Sequence, residues 1–224
     1  MNIKCSLGID DDEVSDANEG DIMTEDGYVK FHAQRIKDDK AVTDAGIAKL
    51  NEWRTKMYLM KLIGMYDNGI GFGNISQKTF SSPIHFIISG TQTGKFRTLT
   101  KDQYVLVTDY DFSSNFLECK GMIDASSESM THAAIYESDE KIGAVIHIHN
   151  LELWKNLLHK VPTTKNVPYG TPEMAYEMIR LLKEDITKEK KIIVMSGHEE
   201  GIVVFGKDLD EAGKILLDYY QKYK

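Results

Sequence analysis

At 224 residues the chain is long enough for one well-filled hydrophobic core and needs no second domain. A net charge of −8 and a pI near 5.4 argue against nucleic-acid binding by bulk charge, and no apolar run approaches membrane-spanning length. Cys5 and Cys119 make no disulfide framework and no metal pair, and no apolar leader opens the chain, which together suit a reducing, cytoplasmic compartment. Residues 1–27 carry Asp10, Asp11, Asp12, Glu13, Asp16 and further acids with few large apolar groups. They read as an acidic, mobile or surface-hugging extension, with residues 28–224 as the folded domain.

Tyr28–Ile36 alternates like a strand. Residues 44–63 place Ile47, Leu50, Met57, Leu59, Met60, Leu62 and Ile63 at helical spacing, which predicts a core-facing helix. Gly69, Gly71 and Gly73 mark a tight turn into Asn74-Ile75-Ser76, and a hairpin lead-in needing positive φ would account for them. His85–Gly90 and Tyr104–Thr108 read as strands, Asp109–Asn115 as a turn, and Phe116–Cys119 as a short strand. A helix is expected at about 151–159, and another opens at Thr171 as cap, Pro172 at the first helical position and Glu173 in the first turn. Lys191–Gly206 reads as an apolar strand, a Gly-flanked turn with His198, Glu199 and Glu200, then a second apolar strand. The last helix begins near Leu209, buries Ile215, Leu216 and Tyr219, and ends in a cluster of Tyr219, Tyr220 and Tyr223.

The chemistry concentrates between Gly121 and His149. His147 and His149 lie two apart in a β-branched apolar run, so a strand would point both imidazoles to one face. Two buried imidazoles without partners are costly, and a borderline divalent cation such as zinc would use them. Ser126 and Ser127 can cap a helix carrying Glu128 in its first turn, and a helix start is also a site for an anion such as phosphate. His132, one turn after Glu128, reads as a structural or supporting group. A third ligand has to come from elsewhere, and His198 in its glycine-flanked turn offers one. His32, His85 and His159 are weaker candidates.

The order Gly73-Asn74-Ile75-Ser76, Ile88-Ser89-Gly90, Ala125-Ser126-Ser127-Glu128, Tyr136, His147-Ile148-His149 and the His198 turn resembles the class II aldolase/adducin family, which includes fuculose-phosphate aldolase. The resemblance runs from about residue 44 to the C-terminus. It implies an α/β fold, a three-layer α/β/α sandwich with a mainly antiparallel central sheet, and a catalytic Zn2+ (or another divalent metal) held by His147, His149 and His198. It further implies a cyclic homotetramer, and a substrate phosphate held by Gly73, Asn74, Ser89, Gly90, Ser126 and Ser127. Two departures stand out. The family typically carries His-His-Gly at the third ligand, and a gapless register places Glu200 there. A two-residue bulge restores His198, whose imidazole matches the other donors. The Val161–Tyr169 connection is shorter than the family loop that bears a catalytic tyrosine.

By resemblance, then, the expected function is a zinc-dependent lyase that cleaves or condenses a ketose phosphate through a metal-stabilised enediolate, with Glu128 as acid/base. The alternatives are a sugar-phosphate dehydratase of the methylthioribulose-phosphate type, a zinc enzyme acting on an unphosphorylated carboxylate or aldehyde, and a non-catalytic adducin-like binding module. Retention of His147, His149 and Glu128 weighs against the last. Partners are a small phosphorylated sugar and copies of the chain itself, with no nucleic acid or membrane. A C-terminal tyrosine could close the site of a neighbouring subunit.

Overall fold

The computed structural model describes residues 30–79 and 83–223, so the expected acidic extension 1–27 and Cys5 lie outside the described residues. Strand β1 (His32–Ile36) leads into helix α1 (Asp44–Leu59), and the two-residue strands β2 (Gly64–Met65) and β3 (Gly71–Phe72) form a small ribbon. Strands β4 (Asn74–Lys78), β5 (Phe86–Ser89), β6 (Tyr104–Asp111) and β7 (Phe116–Gly121) follow, then α2 (Ser129–Ser138) and β8 (Ala144–His149). The chain continues through α3 (Leu151–Leu157), α4 (Pro172–Leu182), α5 (Asp185–Lys190), β9 (Ile192–Val194), β10 (Gly201–Gly206) and α6 (Leu209–Tyr223). The main sheet has the order β1-β7-β6-β5-β4-β8-β10-β9, and every pairing is antiparallel except β1 with β7.

Strand periodicity sorts the residues of β8 between two cores. Ala144, Ile146 and Ile148 face α1, α3 and α6, where Ile47, Leu50, Leu153 and Leu216 are buried. Val145 faces α2 and α4, where Met130, Tyr136, Met174 and Met178 are buried, and His147 and His149 share its face. This gives three layers, helices on both faces of a mostly antiparallel sheet. Each fully buried aliphatic side chain contributes about 1.5–3 kcal/mol, so both faces stabilise the sheet that carries the histidines.

Several local expectations change. Helix α1 stops at Leu59 because Lys61 turns into the left-handed region at φ 59, leaving Leu59 59% exposed. Leu62 and Ile63 are buried beyond the helix, and Trp53 and Arg54 join its buried face. Strand β6 runs on to Asp111 through a register shift between Val107 and Asp109, so the turn begins only at Phe112. The Asp111 carboxylate then accepts from the Ser113 and Ser114 hydroxyls. Thr171 does sit at the cap of α4, but its hydroxyl donates to the Pro168 carbonyl rather than capping. Helix α3 ends at Leu157, before His159 at φ 60. In α6 Leu216 is buried, while Ile215 and Tyr219 are only partly so. Helix α5 was not evident in the sequence. Among the described residues no helix is long and apolar enough to cross a membrane.

Candidate metal centre

Strand β8 ends at the site, with His147 and His149 on the α2 side and both almost fully buried. The antiparallel partner β10 pairs Gly201 with His149 and Val203 with His147, so the turn before β10 delivers His198 to the same place. That turn closes on itself through His198 N–H to Met195 O at 3.2 Å and Gly201 N–H to His198 O at 2.9 Å. Gly201 is required there, since a Cβ would come within 2.5 Å of the His198 ring. The Nε2 atoms of His147 and His149 lie 3.1 Å apart, those of His149 and His198 2.9 Å apart. The ligand atoms of all three imidazoles fall within 4.8 Å of one another.

Three imidazole nitrogens around a tetrahedral divalent ion would sit roughly 3.3 Å apart, close to the spacing seen. The protonation chemistry agrees. Burial lowers the pKa of His147 to about 4 and also lowers those of His149 and His198, so all three are neutral and present lone pairs. His147 Nδ1 lies 3.2 Å from the Ile202 carbonyl, which only accepts; its proton is therefore on Nδ1 and its Nε2 lone pair points inward. The donor set fits a divalent cation. Glu200, the alternative third ligand, lies to the side: Tyr66 Oη donates to its Oε2 at 2.7 Å, and its nearest approach to His149 is 4.0 Å at Nδ1.

Glu128 stands at the N-cap of α2 rather than in its first turn, and its carboxylate does not cap. Its Oε2 accepts from the Thr131 hydroxyl at 2.7 Å, while Oε1 lies 4.0 Å from His198 Nε2. Ser126 Oγ accepts the Glu128 N–H at 3.3 Å, holding the residue at the helix start. His132 is not one of the three clustered imidazoles: its Nδ1 is 2.7 Å from Ser76 Oγ, which also meets Tyr136 Oη at 2.7 Å.

A cleft opens over the cluster. Its walls are Gly71–Asn74, Gly90–Gly94, Ser126–Glu128 and Tyr169. Of the expected phosphate group, Gly73, Asn74, Gly90, Ser126 and Ser127 line it. Ser89 is not among its lining residues; its hydroxyl accepts the Ile75 N–H within the sheet. The sequence did not mark Tyr66, Phe72, Thr91–Gly94 or Tyr169. The Gly90–Gly94 wall is held by Arg54, whose guanidinium donates to Thr93 O at 2.8 Å, Phe96 O at 2.6 Å and Arg97 O at 3.1 Å. Tyr169 packs its ring 4.3 Å from that of His198, and Lys30 Nζ sits 3.7 Å over the same tyrosine. A lysine from the start of the described chain thus flanks a site that also holds the Glu128 carboxylate.

Residues 64–219 match the family described as Class II Aldolase and Adducin N-terminal domain. The chain belongs to that family. None of the curated proteins compared with it matches. Among solved structures it is similar to an L-fuculose 1-phosphate aldolase, at TM-score 0.62 and 18% identity over 82% of this chain and 85% of that one. A sugar-phosphate aldolase from Thermotoga maritima aligns at TM-score 0.59 and 17% identity, covering 78% of this chain and 90% of that one. An aldolase II superfamily protein from Pseudomonas syringae aligns at TM-score 0.54 and 16% identity, over 76% and 71%. At these identities the likeness speaks for the fold. This class II aldolase and adducin family member carries its three-histidine cluster at the end of β8 and in the turn before β10, inside the matched segment.

Proposed function

We propose that the protein is a metal-dependent lyase acting on a phosphorylated ketose by aldol cleavage or its reverse, with Glu128 as acid/base. The observation that carries this reading is the convergence of three neutral, buried imidazoles on one point, with the Glu128 carboxylate 4.0 Å from His198 at the floor of a cleft. His147, His149 and His198 would hold the ion, for which zinc suits an all-imidazole set. When bound, such an ion supplies Lewis-acid polarisation of the substrate carbonyl.

The rest falls to the chain. The Thr131 hydroxyl holds Glu128 Oε2, which orients the carboxylate that would take a proton from the substrate hydroxyl or return one to carbon. The Ser126 and Ser127 side chains before α2 and the backbone of Gln92–Gly94 across the cleft suit the phosphate as neutral donors; the N–H groups of Gly90 and Thr91 are spent on Gln103 O and Asp124 O. Tyr169 and Phe72 narrow the cleft and exclude water. A homotetramer is part of this proposal, and light scattering at about four times the 25.4 kDa chain mass would support it.

The test joins metal analysis to a screen of ketose phosphates read for both glycerone phosphate release and loss of water. Expected are one divalent ion per chain, its loss in the folded His147→Ala/His149→Ala protein, and cleavage of at least one substrate. Release of water alone would move the assignment to the dehydratase. A purified protein that binds no divalent ion and turns over none of the panel would refute the reading.

A further inference from the structure

The ribbon formed by β2 and β3 lies beside the metal centre, and its side chains enclose His149. The Phe72 ring stacks on the His149 imidazole, with centroids 5.5 Å apart and planes 26° apart. Tyr66, in the turn of the ribbon, packs 4.4 Å from Phe72 and brings its hydroxyl 2.7 Å from His149 Nδ1. The same hydroxyl is 2.7 Å from Glu200 Oε2. Only one proton arrangement satisfies both contacts when His149 offers its Nε2 lone pair to the cluster. The Nδ1–H donates to Tyr66 Oη, and the Tyr66 O–H donates to the carboxylate. A tyrosine has one proton to give and the carboxylate can only accept, so the chain runs in one direction.

Glu200 is held for this task at a cost. Its φ of +68 is left-handed, a conformation that disfavours side chains bearing a Cβ by roughly 1–2 kcal/mol and that glycine would adopt freely. Its backbone carbonyl accepts the Asn150 N–H, but that bond needs no particular side chain. The carboxylate folds back onto Tyr66 with only 26% of its side chain exposed. A costly backbone state kept beside a binding site points to use of the side chain.

We propose that Tyr66 and Glu200 form a positioning relay, His149 Nδ1–H to Tyr66 Oη–H to Glu200 Oε2, which fixes the tautomer and ring angle of His149 and raises its donor strength toward a bound cation. The relay rests on the reading that the three histidines hold a metal. Outer hydrogen bonds of this kind typically change metal affinity by 10- to 100-fold. The Ile202 carbonyl does the same for His147 from the backbone, so the side-chain relay is the part that substitution can reach.

The experiment measures zinc affinity by chelator competition for the wild type, Tyr66→Phe, Glu200→Leu, Glu200→Gln and the Tyr66→Phe/Glu200→Leu double variant, with the metal-free melting midpoint of each. Tyr66→Phe and Glu200→Leu should each weaken zinc binding about 10- to 100-fold. Glu200→Gln, whose amide oxygen still accepts from Tyr66, should recover part of that loss. The double variant should bind no more weakly than Tyr66→Phe alone, because both changes break one chain. Metal-free midpoints close to wild type would separate the relay from general packing. Wild-type affinity in Tyr66→Phe, or losses that simply add in the double variant, would overturn the relay while leaving the metal centre standing. A wild-type protein that binds no zinc would instead overturn the reading beneath it.

Discussion

Arg54 gives the most direct link between helix α1 and the cleft. Its side chain is fully buried, and its terminal nitrogens donate to three carbonyls of the segment that continues the Gly90–Gly94 wall. Replacement by methionine keeps most of the volume and removes every donor. Thr93 O keeps the Phe96 N–H and Arg97 O keeps the Thr55 hydroxyl at 3.3 Å, so the loss is largest at Phe96 O. With about 1 kcal/mol for the orphaned Phe96 O, the low end of the usual 1–3, and roughly half that for each acceptor that keeps a donor, Arg54→Met should cost about 2 kcal/mol. For a chain of this size that corresponds to a fall in Tm of roughly 4–8 °C. Zinc content should hold, because the triad hangs from β8 and the turn before β10 rather than from this wall. Substrate affinity should drop, because Gln92, at φ +55, accepts the Gly71 N–H and ties this wall to the ribbon. Urea titration, metal analysis and KM read the three parts. A variant within about 1 kcal/mol of wild type would show that the carbonyls find other partners and that the loop holds its own shape.

Glu128→Gln keeps the shape of the helix start and removes the ionisable group; turnover should fall about 10²–10⁴-fold with zinc content unchanged, as steady-state kinetics and metal analysis would show. Ser127→Ala should raise KM more than it lowers kcat, and inorganic phosphate should compete with substrate at roughly millimolar levels, whereas equal turnover of phosphorylated and unphosphorylated substrates would reject the cradle. The metal-free protein should be acid-labile. His132, His147, His149 and His198 have pKa values lowered by burial, so the unfolded chain takes up protons that the native state refuses. The stability present above the unfolded pKa of about 6.5 is therefore lost as pH falls, by up to about 1.4 kcal/mol per pH unit for each histidine. For His147 the loss runs until about pH 4. Urea midpoints between pH 8 and 5 that do not move would contradict the burial of these imidazoles.

The sequence by itself determined what depends on short-range order. Period-two alternation in Ala144–His149 put two histidines on one face, and the cap-like serines put Glu128 at a helix start, because both patterns follow from local backbone geometry. The three-layer architecture was legible only through the family resemblance that motifs spread along the chain carry. What only the tertiary structure decided was the pairing of distant segments. Whether His198 or Glu200 faced the cluster depended on how one turn packs, and the packing of Gly201 against His198 brings the imidazole in while leaving Glu200 beside Tyr66. Ser89, expected in an anion cradle, lies outside the cleft lining, where its hydroxyl accepts the Ile75 N–H across the β4–β5 pair, a bond no local pattern announces. Tyr66, Tyr169 and Arg54 lie 83, 29 and 39 residues from the groups they serve (His149, His198 and Thr93). Their roles come from long-range contacts, which a side-chain pattern of period two or 3.6 cannot encode.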